Sequence, residues 1–275
     1  MTTRLSVFVT SMLVIAVLSV TAATAADLSA DQIMDRSFKV YGGDDSVSTL
    51  TFTFDVNGEP ERKLVYTMVW KKYAGKENTN AKFLFIKEFP AANRGTAYMA
   101  WRYRPYADMD DDEWIYLPET RTVRKLSHRD NLQEDEEFAI TELKPKDLEP
   151  RDPSRDRHNL LRTEEIEGKQ YYLIESVRKD ETEFYPYAKV WRWISADTFL
   201  PTYINYFDFN GHPLKREQIE WQQIGDAWVW KSLDVNNIQN GNKTRLDVSD
   251  IRLNVGIDDD VFSKRTMRTG LHGRL

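Results

Sequence analysis

The fold is decided by two stretches, Phe89-Pro-Ala-Ala-Asn-Arg-Gly-Thr-Ala-Tyr-Met-Ala-Trp101 and Glu113-Trp-Ile-Tyr-Leu-Pro-Glu-Thr-Arg-Thr-Val-Arg-Lys-Leu126. Both are rich in aromatic and β-branched residues, which favour strands. Gly95-Thr96 leads into one strand, and Leu117-Pro-Glu-Thr120 has the composition of a turn between two others. Neither stretch contains a nucleophile beside a base, a metal-ligand spacing or a phosphate-binding loop. They indicate the wall of a sheet that holds a molecule rather than a catalytic centre.

The strand signal continues along most of the chain. Alternating apolar residues bounded by turn residues predict strands at 47–56, 62–72, 82–89, 95–104, 113–117, 121–127, 160–165, 170–179, 189–194, 203–209, 215–224, 227–234 and 244–253. Turns are predicted at Asn57-Gly58, Glu167-Gly168-Lys169, Asn210-Gly211 and Asn240-Gly241-Asn242. Sequential strands of this kind predict a mainly β fold: a single curved antiparallel sheet, or half-open barrel, of roughly a dozen strands in meander order.

Helical signals are few. Ser29 and Gln32 form the pattern of a capping box, and Gly42-Gly43 is the expected end of that helix. Residues 130–157 are polar and hold three prolines, which permits only a short helix or a surface excursion. Asp258-Asp-Asp-Val-Phe262 predicts one helical turn near the end of the chain.

Several strands are apolar on both faces. Phe83 and Phe85 alternate with Leu84 and Ile86, where a sheet with one face in water would alternate with polar residues. Either protein covers both faces, as in ordinary core packing, or one face lines a cavity. With one convincing helix in the sequence, little is left to cover a second face. A cavity would be lined by a set of apolar side chains that we list as candidate lipid-binding residues: Tyr66, Met68, Phe83, Phe85 and Trp114.

The first 26 residues predict an export signal. Arg4 supplies the positive start, Leu5–Val20 is an apolar run, and small residues follow, so cleavage is expected near Ala25/Ala26. Residues 27–275 are then one exported domain. The chain has no cysteine, and an exported chain of this length can bury a core without disulfides. These features favour the periplasm.

Composition and motifs argue against several functions. The chain has 38 Lys and Arg against 44 Asp and Glu, whereas nucleic-acid binding relies on a basic face. No two of the four histidines stand at metal-ligand spacing, and no activated-serine motif occurs. We therefore expect no catalytic residues, no metal and no cofactor. A hydrolase that uses two carboxylates stays open as an alternative, because carboxylates are abundant.

Aromatic and basic residues interleave at Trp191-Arg192-Trp193 and at Trp101-Arg-Tyr-Arg104. Such groups can stack on sugars or hold lipid head groups through cation–π contacts. The alternative is cross-strand packing of Trp and Arg on the outer face of the sheet. The sequence leaves both interpretations open.

The sequence resembles the outer-membrane lipoprotein-sorting proteins, the LolA-like periplasmic carriers. The resemblance rests on the order and spacing of short pieces over most of the exported chain: Gly58-Glu-Pro-Glu-Arg62, Phe89-Pro90 before Gly95-Thr96-Ala97, Trp114-Ile-Tyr-Leu-Pro118 with Arg121 and Val123-Arg124, Thr198-Phe-Leu-Pro201, Phe207-Asp208 through Gly211, and Asp260-Val-Phe262. One family segment differs: Glu137-Phe-Ala-Ile140 stands in its place, with Asp147-Leu148 further on.

The resemblance implies a half-open antiparallel barrel of about eleven strands, with a few covering helices and a hydrophobic cavity that takes the acyl chains of a lipid or lipoprotein. It adds Arg62, which matches an arginine linked to closure in the family, to the candidate residues. It also implies work beside an inner-membrane transporter of the resistance–nodulation–division type. The leading hypothesis is thus a non-enzymatic periplasmic carrier that transfers lipid between membranes. An accessory subunit of such a transporter, without lipid cargo, is the alternative.

Overall fold

The computed structural model describes residues 28–55, 61–73, 78–104, 111–126, 141–181 and 185–273. The predicted export signal, the Asn57-Gly58 turn, His128 and the segment Glu137–Ile140 lie outside these residues. Within the described residues the chain forms one antiparallel sheet of thirteen strands, with two α-helices. The mainly β fold predicted from the sequence is confirmed, with thirteen strands in place of about eleven.

Each strand lies within a few residues of its predicted position. The strands are β1 (Asp45–Asp55), β2 (Arg62–Lys72), β3 (Thr79–Phe89), β4 (Ala97–Tyr103), β5 (Asp112–Leu117), β6 (Thr122–Lys125), β7 (Asp156–Ile166), β8 (Lys169–Arg178), β9 (Lys189–Ser195), β10 (Pro201–Phe207), β11 (Pro213–Ile224), β12 (Ala227–Asn237) and β13 (Lys243–Leu253). The predicted turn at Glu167-Gly168 has positive φ at both residues, 51° and 76°, as a tight hairpin turn with right-handed twist requires.

The strand order departs from a single meander at one place. It reads β6-β5-β4-β3-β2-β1-β13-β12-β11-β10-β9-β8-β7, so β1 pairs with β13, and β6 and β7 form the two edges. The expected sequential order is therefore wrong between β6 and β7. The chain leaves the sheet after Leu126 and returns at Asp156, and residues 141–155 of that connection cross one face. We call residues 141–155 the strap.

The contacts of the strap show that the sheet is curved. Arg102 in β4 and Lys215 in β11 stand six strands apart in the sheet order. They bind Glu149 and Asp147, which are two residues apart in the strap. Six strand spacings of a flat sheet span about 29 Å, whereas residues two apart lie within about 7 Å. The sheet therefore curves around the strap, and the face that the strap covers is the concave face.

Both faces of the sheet are covered, by different parts of the chain. Helix α1 (Ala30–Phe38) begins at the predicted Ser29–Gln32 capping box and ends before the expected glycines. It packs over β8 and β9 on the concave face through Ile33 and Met34. The opposite face of β1–β5 is covered by residues 257–267, which include a 3-10 turn at Asp259–Val261 and the start of helix α2 (Lys264–Thr269). The double-sided apolar pattern thus has its physical cause in this double cover.

Candidate functional site

The concave face gathers most of the predicted apolar residues. Tyr66 and Met68 of β2 lie beside Phe83 and Phe85 of β3, with Met68 directly opposite Phe85. Phe52 of β1 packs edge-on against Tyr66, with ring centroids 5.8 Å apart. These side chains belong to one buried cluster that extends across β1–β5 and β9–β13. We call it the concave cluster.

Two candidate residues lie elsewhere. Trp114 is buried on the opposite face, in the cluster with Met99 and Met267, so a lipid contact at Trp114 would have to be made on that face. Arg62 is the first residue of β2, exposed, and pairs with Phe54 at the end of the strand. Lipid binding by any of the six candidates stays a prediction.

The strap inserts apolar side chains into the concave cluster. Leu143 is fully buried and Leu148 nearly so, and both belong to the cluster. Burying a leucine side chain stabilises by about 1.5–3 kcal/mol. The strap has a short 3-10 helix at Pro145–Leu148 and another at Pro153–Arg155. The expected short helical structure is thus present, but residues 143–148 are an inner layer rather than a surface excursion, because leucine and aspartate side chains there meet partners on the sheet.

A buried ion pair holds the middle of the strap. Lys215 Nζ lies 2.6 Å from Asp147 Oδ2, and both side chains are almost fully buried, at 3% and 2% exposure. The Tyr187 hydroxyl donates to Asp147 Oδ1 at 2.8 Å, and Lys215 also donates to the Glu142 carbonyl at 2.7 Å. The Lys215 ammonium lies over the rings of Tyr187 and Tyr206. A pair in such surroundings depends on every partner, since each charge would otherwise be buried alone.

Glu217 and Arg192 lie beside this pair on the concave face. In the strand pairing, Ile204 of β10 stands between them, opposite Arg192 on one side and Glu217 on the other. Glu217 accepts a hydrogen bond of 2.9 Å from the Tyr206 hydroxyl. Burial, and then the nearby Asp147, raise the pKa of Glu217 to about 7. Nη1 of Arg192 is buried and has no hydrogen-bond partner among the described residues.

The C-terminal part of the strap is held by a second buried arginine cluster. Arg102 of β4 binds the Glu149 carboxylate with two nitrogens, Nε at 2.5 Å and Nη2 at 2.6 Å. Its third nitrogen, Nη1, lies 2.5 Å from Glu113 Oε1. Arg102 is 6% exposed. Bidentate arginine–carboxylate pairs fix geometry as well as charge, so the strap is clamped at Glu149 as it is at Asp147.

The N-terminal part of the strap joins the β12–β13 hairpin. The Glu142 carboxylate accepts hydrogen bonds from three asparagine side chains, those of Asn237, Asn240 and Asn242, at 2.7, 3.3 and 3.1 Å. The backbone N–H of Glu142 donates to Thr244 Oγ1 at 3.0 Å. These contacts are polar and reach the end of the sheet, so this part of the strap is attached to a hairpin rather than to the concave cluster.

A cleft of about 650 Å³ opens outside the concave cluster, between β1 and β10–β13. Its lining includes Asn205, Arg216, Asp234 and Arg245, which alternate along their strands with concave-face residues and therefore lie on the opposite face. Most of the residues that line the cleft are charged or polar, so the cleft does not match the apolar site that the sequence predicts.

Among residues 28–273, apart from the gaps given above, no helix is long and apolar enough to cross a membrane. Within the same described residues there is no group of three or more His, Asp or Glu side chains placed to hold a metal ion. His158, for example, is bonded to Ser176 Oγ at 2.8 Å and to the Pro153 carbonyl at 2.9 Å.

Sequence reasoning missed Asp147, Lys215 and Glu217 as site residues. One signal was available in β11, where Lys215 and Glu217 share the buried face with Ile219. The exposed face of the same strand holds Arg216, Gln218 and Glu220. Charged residues on the apolar face of a strand are unusual unless they are paired. The partner Asp147 could not be inferred in the same way, because it lies 68 positions away along the chain.

The raised pKa of Glu217 predicts how stability depends on pH. From about pH 4.5 to pH 7 the folded protein keeps a proton on Glu217 that the unfolded chain has released, so stability falls as pH rises through this window. We expect Glu217→Gln to remove this loss and to gain up to about 3 kcal/mol over wild type between pH 5 and pH 8. The groups that face Glu217 are Asp147, Lys215, Arg192 and Tyr206, and all are retained in the variant.

Urea unfolding at pH 5, 6, 7 and 8 measures this effect. The control is Glu220→Gln in the same strand, where the side chain is half exposed, Lys231 holds its pKa below the usual range, and no such gain is expected. Parallel pH profiles for wild type and Glu217→Gln would show that the Glu217 carboxyl is not buried as described.

Comparison with known proteins bears on both the fold and the site. Residues 79–269 match a family model described as "uncharacterized protein". A search of the curated proteins finds no match. A crystal structure of a DUF1329 family protein from Desulfovibrio piger is 23% identical, with a TM-score of 0.77 over 86% of this chain and 97% of the other.

Two further solved structures share the architecture. A putative outer membrane lipoprotein-sorting protein domain from Vibrio parahaemolyticus is 23% identical, with a TM-score of 0.74 over 87% of this chain and 98% of that one. A LolA superfamily protein from Nitrosomonas europaea is 19% identical, with a TM-score of 0.66 over 86% and 99%. These likenesses show the fold, a LolA-like curved antiparallel sheet, and confirm at that level the resemblance drawn from the sequence.

Proposed function

We propose that this chain, which belongs to the family whose model matches residues 79–269, is a periplasmic carrier. It holds the acyl chains of a lipid or lipoprotein on its concave face and transfers them between membranes. The observation that carries the proposal is the concave cluster: a large apolar surface covered by a strap rather than by regular secondary structure. The names of the similar structures from Vibrio and Nitrosomonas support the same class of function.

The apolar contribution favours an exchange of the strap's two leucines for an acyl chain. Leu143 and Leu148 together gain about 3–6 kcal/mol from burial. An acyl chain that buries about ten CH₂ groups gains about 8 kcal/mol at 0.8 kcal/mol each. A bound chain therefore offsets the loss of the two leucines, and the candidates Tyr66, Met68, Phe83 and Phe85 would contact it.

We propose further that the protein is not an enzyme. The carboxylates of the concave face are engaged in structural contacts: Asp147 with Lys215, Glu217 with Tyr206, and Glu149 with Arg102. Carboxylates that hold a strap in place support a binding role. We therefore favour the carrier over the hydrolase alternative.

The expected result for the carrier is that protein purified gently from its native host contains bound lipid, detected by native mass spectrometry and lipid analysis. Ala81→Phe, which adds a ring beside the concave cluster, should reduce the lipid content severalfold. The control Lys82→Phe places the same ring at the next position of β3, on the opposite face, where Lys82 pairs with Lys71 and Trp101. Lipid-free wild-type protein, or equal lipid in both variants, would contradict the carrier proposal.

A second candidate function is an accessory subunit that docks on a resistance–nodulation–division type transporter without lipid cargo. One observation favours it: the concave face is already occupied by the chain's own Leu143 and Leu148. A transporter captured by the wild-type protein, with no lipid bound and with capture unchanged in Ala81→Phe, would support this candidate over the carrier.

A further inference from the structure

We propose that the lipid carried on the concave face has a single negatively charged head group, bound by Lys215 and Arg192 at the place where the Asp147 carboxylate lies. This inference rests on the proposed carrier function and specifies its class of cargo. It requires that strap residues 143–148, which include Asp147, leave the concave face when the lipid binds, while Arg151 of the strap stays bound to Asp156.

The first argument is the chemistry of the strap itself. Between residues 143 and 148 it presents a buried leucine, a buried carboxylate and a second buried leucine. The carboxylate of Asp147 receives Lys215 Nζ at 2.6 Å and the Tyr187 hydroxyl at 2.8 Å. Apolar groups beside one anion are the parts of an anionic amphiphile. The concave face therefore already binds this combination, supplied by its own chain.

The second argument is the charge that remains when strap residues 143–148 leave. Lys215 loses Asp147, the one carboxylate that it contacts among the described residues, and the buried Nη1 of Arg192 already has no hydrogen-bond partner in that part of the chain. Glu217 is the one acidic side chain left among them, and it is bonded to Tyr206. Buried cations without counter-charges are strongly unfavourable. A neutral lipid would leave Lys215 and Arg192 without a counter-charge, whereas an anionic head group would replace the lost Asp147 carboxylate.

The neighbouring groups do not supply that charge. Asp156 is bound by Arg151 through two nitrogens, at 2.9 and 2.7 Å, so its charge is already matched. His158 is bonded to Ser176 and to the Pro153 carbonyl. The Tyr187 hydroxyl, which donates to Asp147, can donate to the lipid anion instead, since burial raises the pKa of Tyr187 well above its usual value and keeps the hydroxyl protonated. The donors thus converge on one anionic group.

The test uses two probes that share one acyl chain and differ at its end group, an anionic carboxylate or a neutral ester: 11-(dansylamino)undecanoic acid and its methyl ester, each titrated by fluorescence into the full-length exported protein. We expect the acid to bind wild type at least about tenfold more tightly than the ester, a difference of about 1.4 kcal/mol. Arg192→Gln should reduce this preference to less than about threefold, by weakening the binding of the acid and not that of the ester. Lys215→Gln should reduce it as well.

Arg192→Gln is the decisive variant because the buried Nη1 of Arg192 has no hydrogen-bond partner among the described residues that the change would remove. The control is Arg216→Gln, next to Lys215 in β11 but exposed on the opposite face, which should keep the preference for the acid. Equal affinity for acid and ester in wild type, or a preference that persists in Arg192→Gln, overturns the inference while ester binding still supports the carrier. Absence of binding by both probes overturns the carrier proposal itself.

The same chemistry belongs to a fatty-acid carboxylate and to a phosphodiester head group. Competition separates the two sources: oleate, or vesicles of phosphatidylglycerol, against bound dansyl acid, with phosphatidylcholine vesicles as the neutral comparison. Displacement by oleate alone assigns the site to free fatty acids, and displacement by phosphatidylglycerol assigns it to anionic phospholipids. Displacement by phosphatidylcholine as strong as by phosphatidylglycerol contradicts charge recognition.

Discussion

Leu143→Ala is expected to lower the free energy of unfolding and, at the same time, to tighten the binding of acyl probes. Leu143 is fully buried in the concave cluster, so its truncation should cost about 2–5 kcal/mol of stability. The strap and the acyl chain compete for one surface in the proposed function. Because the weakened strap is easier to displace, part of the lost stability no longer opposes binding. We therefore expect the affinity for acyl probes to rise about tenfold or more.

Urea unfolding and probe titration on the same protein samples check the two effects together. Leu161→Ala, an exposed leucine of β7, is the matched control, and neither quantity should move by more than a small amount. A loss of stability with unchanged or weaker probe affinity would mean that the strap does not compete with the ligand. Opposite signs are therefore the diagnostic result.

Arg102→Met is expected to destabilise the protein by about 3–5 kcal/mol. Arg102 is the shared partner of Glu113 and Glu149, and Asp111 lies 3.7 Å from it. Without the guanidinium these carboxylates stay close together in a buried place without a counter-charge, which is the costly way to break a buried ion pair. The change also unclamps the C-terminal end of the strap.

Chemical unfolding of Arg102→Met and of Arg94→Met makes the comparison. Arg94 pairs with Glu88 at 3.1 Å, but it is two-thirds exposed, and exposed pairs contribute about 0–1 kcal/mol. If both variants lose the same small amount, the Arg102 cluster is not desolvated as described. A triple variant that combines Arg102→Met with methionine or glutamine at both Glu113 and Glu149 should recover part of the lost stability, because it also removes the carboxylates left without a counter-charge.

The sequence was informative about strands because local side-chain chemistry determines them. β2 was predicted at its observed bounds, since apolar residues and turn residues mark both of its ends. The opening stretches behave as expected: Gly95 has a φ of 88°, which favours glycine, and residues 118–121 turn between β5 and β6. These features depend on neighbours in sequence.

The strand order and the strap depend on contacts far apart in sequence. Residues 130–157 are polar, which suggested a surface position, but the buried members are few and each is paired with a distant residue, as Asp147 is with Lys215 and Glu149 with Arg102. The side of the sheet that is concave was likewise undetermined, so Trp114 was grouped with Tyr66 although its side chain points the other way. Alternation divides a strand into two faces without saying which face is which.

The pairing of β1 with β13 has a consequence for folding. Ser46 pairs with Leu253 and Asp55 with Lys243, so the central seam joins segments roughly 200 residues apart. A polypeptide that emerges from its N-terminal end can form the β1–β6 hairpins early, yet the outer edge of β1 stays open until β13 arrives. Unpaired edges recruit other strands. Completion of the fold therefore waits for the last strand, and a truncation before Lys243 would leave the edge of β1 unpaired and prone to aggregation.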